Sequence, residues 1–164
     1  MKKYYLATLA LLMPLVFVGC SYNNDTVEYA LGEVNQQELI AHYQTFALSY
    51  QKFDIKKEQT EQIKQWPATL NIDIYFATWC HDSQHEVPHL LKALQKNNQI
   101  TVLLIALDHQ KSEPQERAKQ ANVKYTPTFI VSLAGKEIGR IIEKPKKSLV
   151  DDISAMLKKD KEGI

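Results

Sequence analysis

The sequence predicts a mixed α/β sandwich: a central mixed sheet of about four strands, with a helical extension in front of it. Three observations carry that reading. After residue 68, short β-branched and aromatic runs alternate with amphipathic stretches. A strand–helix–strand unit opens this region, and its right-handed crossover makes the first two strands parallel. A hairpin signal and one last helix close it. The 164 residues suit one domain with one core, and 45% hydrophobic content excludes a disordered chain. A formal charge of +1 gives no electrostatic footing for nucleic acid, which is not expected as a partner.

The elements follow in chain order. Lys2 and Lys3 form a basic head, residues 6–18 are apolar apart from Thr8 and Pro14, and Gly19-Cys20 leads into the polar run 21–25. Residues 1–19 read as a secretory signal, too short and wrongly flanked for a stable membrane span. The small residue before Cys20 resembles the lipobox of bacterial lipoproteins. That resemblance implies cleavage before Cys20, lipidation of Cys20, and a cell-envelope location facing the periplasm. Ser21 resembles the sorting signal for the outer membrane. Residues 20–34 then read as lipid anchor and tether. From Asn35, a capping residue, Leu39, Ile40, Tyr43, Phe46, Ala47 and Tyr50 recur at helical spacing. A second helical piece runs over 56–66 and stops at Pro67, which completes a helical extension over 35–67.

The sandwich domain spans 68–160. Residues 72–76 read as a strand and 80–96 as a helix. The continuous apolar run 100–107 fits a strand buried on both faces. Residues 113–122 read as a helix with Pro114 in its first turn. Residues 128–133 and 137–142 form two strands joined through Ala134-Gly135-Lys136. A helix over 147–159 turns Leu149, Val150, Ile153, Met156 and Leu157 to the core.

Chemistry concentrates in Trp79-Cys80-His81-Asp82-Ser83, at the carboxyl end of the first strand, where ligand sites gather in α/β sheets. A cysteine at a strand-to-helix turn faces the positive end of the helix, which favours thiolate. Cys80 is the expected nucleophile, with helix amides and the Ser83 hydroxyl as hydrogen-bond partners of the sulfur. Position 83 is serine, so no disulfide closes within the motif. A histidinium at His81 would support the thiolate, and Asp82 would oppose it. His81, His85 and His89 stand four apart, and Cys80 with two of them offers a zinc or copper set. Pro88 between His85 and His89 argues against it, so surface histidines and no cofactor are expected.

Three separated features resemble the thioredoxin family: Phe76-Ala77-Thr78-Trp79-Cys80, Pro88 eight residues on, and Thr126-Pro127-Thr128 before a strand. Gly135 fits the family's hairpin. The resemblance covers residues 68–158, and the Cys-His-Asp-Ser motif with Glu86-Val87-Pro88 is similar to a group of bacterial thioredoxin-like proteins. It implies a thioredoxin-like three-layer sandwich and a cis Pro127. Thr126 would then offer its backbone edge beside Cys80, and Trp79 would wall the same groove. Ser83 takes the place of the family's resolving cysteine. Ile74 stands where the family buries an acid, with Asp73 facing the other way, and Glu143 replaces a glycine of the substrate loop.

The expectation is therefore an envelope-anchored monothiol protein. It exchanges mixed disulfides with extracytoplasmic protein or small-molecule thiols through Cys80, supported by Ser83, Trp79, Thr126 and Pro127, and meets the membrane through Cys20. The alternatives are a non-catalytic peptide-binding module of the same fold and, behind it, a zinc or copper carrier.

Overall fold

The computed structural model describes residues 29–163. The signal and Cys20 lie outside them. The chain enters as strand β1 (Gly32–Glu33) and helices α1 (Gln36–His42), α2 (Gln44–Lys52) and α3 (Lys57–Lys64). The alternating half follows: β2 (Leu70–Phe76), α4 (His81–Leu94), β3 (Thr101–Ala106), α5 (Arg117–Gln120), β4 (Thr128–Leu133), β5 (Lys136–Ile142) and α6 (Leu149–Lys161). The strands form one sheet in the order β1-β3-β2-β4-β5. β2 and β3 run parallel, as the crossover requires, and the remaining pairs are antiparallel.

Among the described residues the sheet has five strands where about four were expected. The fifth is β1, inside the stretch read as tether. Its Gly32 pairs with Ala106 and Glu33 with Ile105. Two residues, one of them glycine, carry no period-two signal, so the edge of β3 sets this strand. Its surroundings hold it there: Arg117 bonds Glu33 at 3.0 Å, and the Ala30 N–H donates to Thr78 Oγ1 at 3.2 Å.

Side-chain alternation along β2 builds the layers. Leu70, Ile72, Ile74 and Phe76 face the main core, while Tyr75 faces a smaller cluster with Ile105, Leu107, Ala118, Val123 and Ile130. α2, α3, α4 and α6 cover the first face, and α5 with its flanking loops covers the second. The helical extension belongs to the main core. Leu39, Phe46 and Ile63 are fully buried in it, and Phe46 meets Phe76 edge-on at 5.8 Å. α3 is tied to α6 by Gln59 Nε2 to Ser148 Oγ at 2.9 Å, and Trp66 Nε1 just beyond α3 donates to Ser154 Oγ at 3.0 Å.

Two local expectations are corrected. The helix from Asn35 breaks at Tyr43 into α1 and α2, although the apolar spacing runs through the break. The helix expected over 113–122 shrinks to Arg117–Gln120. The Glu113 carboxylate is buried and accepts from the N–H groups of Gln115 and Ala118 at 2.7 and 3.2 Å. These bonds favour a turn over residues 113–116, and Glu116 sits at φ 55, outside the right-handed helical region. At the hairpin, Ala134 and Gly135 both take positive φ, 50° and 82°, as a two-residue turn between right-twisted strands requires. Gly139 lets β5 approach α6, since a Cβ there would lie 2.7 Å from the Met156 sulfur.

Candidate functional site

Cys80 is the N-cap of α4, at the carboxyl end of β2. Its N–H donates to the Ala77 carbonyl and its carbonyl accepts from Gln84 N–H, both at 3.0 Å, so the backbone turns without slack. The half-buried thiol donates to the Thr126 carbonyl at 3.1 Å, across 46 residues of sequence. The Thr126–Pro127 peptide bond is cis, and both residues are buried. The loop before β4 therefore stands directly against the sulfur.

Expected hydrogen bonds are redistributed here. The cap makes no side-chain bond to the helix amides, because Sγ turns to Thr126 instead. Losing the thiol proton removes that bond and leaves two electron-rich atoms face to face. The thiolate's favourable neighbour is then the positive end of α4. Ser83 is fully buried, and its Oγ accepts from the Ala77 N–H at 3.2 Å. The hydroxyl expected at the sulfur thus secures the end of β2.

The two ionisable side chains beside the thiol differ in exposure. The His81 side chain is 93% exposed, with Nδ1 3.7 Å from Asp82. Asp82 pairs more closely with Lys144, at 3.2 Å. That partner offsets the like charge Asp82 would set against a thiolate, although so exposed a pair contributes under about 1 kcal/mol. Ile74 is buried in the core, and Asp73 lies on the opposite face of β2 with Asn71 Nδ2 at 2.8 Å. Glu143 holds φ 60, and its N–H donates to the Pro127 carbonyl at 2.7 Å. Glycine adopts that conformation freely, whereas a side chain does so at some cost.

Residues that sequence reasoning missed complete the site. The Trp79 ring stacks on His109 at 4.1 Å, and Lys111 Nζ lies 4.0 Å above the indole. Lys111 also donates to Thr126 Oγ1 at 3.2 Å, joining the indole to the proline loop. The indole N–H is buried and has no partner among the described residues. His109 and Lys111 follow β3, held in a turn where Ser112 N–H donates to Asp108 Oδ1 at 2.8 Å. The available signal was positional: the carboxyl ends of parallel neighbours β2 and β3 lie side by side. Trp79 is thus a packed platform with a cation on its face rather than a purely apolar wall. A groove of about 1230 Å³ between α1, α4 and β3 is lined by none of the thiol-site residues.

The histidines do not gather at Cys80. Pro88 lies inside α4 and the helix runs past it, so His85 and His89 meet with ring centroids 4.2 Å apart. His81 is not with them.

A buried cis-proline loop facing a single thiol, over a five-stranded mixed sheet, defines a thioredoxin-like protein. A family model described as thioredoxin matches residues 33–154, and the chain belongs to the thioredoxin family. The match takes in the helical extension as well as the region from 68 onward. No curated protein matches. A protein of unknown function from Pseudomonas aeruginosa is 16% identical, with a TM-score of 0.64 over 79% of this chain and 93% of that one. An HIV epitope-scaffold is 15% identical, with a TM-score of 0.61 over 77% and 93%. Thioredoxin from Fasciola hepatica is 22% identical over 61% and 88%, with a TM-score of 0.44. The fold suggests thiol–disulfide redox chemistry.

Proposed function

We propose that this chain is an envelope-anchored monothiol protein that exchanges with extracytoplasmic disulfides, holds one half of each as a mixed disulfide on Cys80, and relies on an outside thiol for release. One observation carries the reading: Sγ of Cys80 lies against the Thr126 carbonyl, while the resolving position holds a buried serine bonded to Ala77. The step balances as exchange between a thiolate and a disulfide, with no other oxidant or reductant. The Cys80 thiolate attacks one sulfur of a disulfide, a new S–S bond forms, and the other sulfur leaves as thiolate. A second external thiolate then attacks the mixed disulfide and restores Cys80. Ser83 cannot take that part, so the captured state persists until such a thiol arrives. In this reading the Thr126 edge aligns an extended substrate, with Pro127 fixing the loop, and Trp79 with Lys111 flanks it. His81 and Asp82 adjust the charge at the sulfur. Lipidation of Cys20 would place the site in the periplasm and leave Cys80 as the one thiol.

The test is partner trapping from cells under non-reducing conditions, with the native chain and with Cys80→Ala. Disulfide-linked partners are expected with the native chain alone. The same partners in both samples, none disulfide-linked, would support the binding module instead. Labelling with a radioactive fatty acid tests the anchor: label lost in Cys20→Ala supports it, and label retained removes it.

A further inference from the structure

We propose that His85, Glu86 and His89 form a binding site for a divalent first-row transition metal ion, separate from the thiol. One donor atom from each lies within 4.8 Å of the others. Ligands of a tetrahedral zinc ion at about 2.1 Å stand about 3.4 Å apart, a closure that one side-chain rotation supplies. His85 is the side chain free to make it, since it is 57% exposed. The helix provides the spacing. Residues four apart share a face, and α4 runs unbroken through Pro88, so His85 and His89 project together.

The His89 ring is already fixed. The His89 ring stacks on Phe53 at 4.2 Å, and Ser49 Oγ lies 3.3 Å from its Nε2, which sets the ring plane and leaves the second nitrogen for another partner. The Glu86 side chain is only 13% exposed, with its carboxylate 3.0 Å from His85 Nδ1. A carboxylate so covered favours a compensating positive charge.

A cavity of about 180 Å³ adjoins the three residues and leaves room for a further ligand such as water. Lys147 lines it and Lys92 lies near His89. Those two ammonium groups oppose any cation held by charge alone, such as calcium or magnesium. The two imidazole donors, which suit first-row transition ions better than calcium or magnesium, set the preference.

The experiment is calorimetric titration of zinc chloride into the full-length chain carrying Cys20→Ser and Cys80→Ser, so that no thiol competes. One equivalent is expected to bind, unaffected by a large excess of magnesium. His89→Asn and His85→Asn are each expected to weaken binding by at least about tenfold, and His81→Asn to leave it unchanged. His85 is exposed, so its substitution separates ligand loss from misfolding, with circular dichroism as the control. Visible absorption on adding cobalt(II) is expected to show nitrogen and oxygen ligation that disappears in His85→Asn. No uptake near one equivalent, or unchanged affinity in both His85→Asn and His89→Asn, would overturn the site.

Discussion

Helix α4 carries two groups of reactive side chains, and they are assembled differently. Its first turn depends on distant parts of the chain: Thr126 accepts the Cys80 hydrogen bond, Lys144 pairs with Asp82, and Lys111 bridges Trp79 to Thr126. The next turns carry His85, Glu86 and His89, which lie close together on one helix, with the His89 ring held by Ser49 and Phe53 and the adjoining cavity walled by the loop before α6. The first group is gathered from several distant loops; the second lies on one helix and is braced by its neighbours. Replacing Cys80 should therefore alter chemistry with little effect on stability, whereas changes at His89 should alter stability with no effect on thiol capture.

The largest expected effect comes from restoring a resolving thiol. Ser83→Cys is expected to shorten the life of a mixed disulfide on Cys80 by at least about tenfold. Mass spectrometry should show an internal disulfide between Cys80 and the introduced thiol in place of the adduct. An adduct that persists unchanged would show that the missing thiol is not what holds the captured state.

The second effect concerns His89. Its pKa falls from 6.5 to about 4, first through burial, then through His85 and Lys92. Glu86 and Lys147 line the same cavity. The unfolded chain takes up the proton more readily, so the stability due to neutral His89 is complete above pH 6.5 and is lost as pH falls toward 4. Full burial would make this about 3 kcal/mol, and solvent at a half-exposed ring reduces it to about 1–2 kcal/mol. Urea unfolding in chelator at pH 7.5 and 4.5 should show that difference shrinking in His89→Asn. Equal pH dependence in both proteins would contradict it.

How much of this was legible in the sequence follows the same division. The β2–α4–β3 unit and the closing hairpin were readable because runs such as 72–76 and 100–107 declare their faces locally. Asn35 was readable as a cap, and its Oδ1 accepts from Gln37 N–H at 2.7 Å. β1 was not, because Gly32 and Glu33 become a strand only against β3. The helix over 113–122 was overextended because the capping bonds of the buried Glu113 carboxylate are invisible to periodicity. At the site, Cys80, Trp79, Thr126 and Pro127 were placed together by motif. Ser83 was expected at the sulfur and is instead bonded to the strand end, since hydroxyl direction depends on packing. His109, Lys111 and Lys144 carry no local signal and arrive through the turn after β3 and the loop after β5. His85 and His89 were separated by treating Pro88 as a break, where the helix continues.

The smallest effect belongs to the exposed pair at the first turn. Lys144→Ala is expected to change stability by under about 1 kcal/mol, because solvent screens the Asp82 contact. It should also change the alkylation rate of Cys80 by less than about threefold, within the reach of such a weak interaction. A larger change in rate would make Lys144 part of the thiol chemistry.

The most direct test of capture without release is intact-mass analysis of the reduced chain after reaction with oxidised glutathione. The expected result is one glutathione adduct on Cys80, one glutathione thiolate released per adduct, and an adduct that survives dilution until an external thiol is added. No adduct on Cys80, or an adduct that disappears without added thiol, would contradict the account.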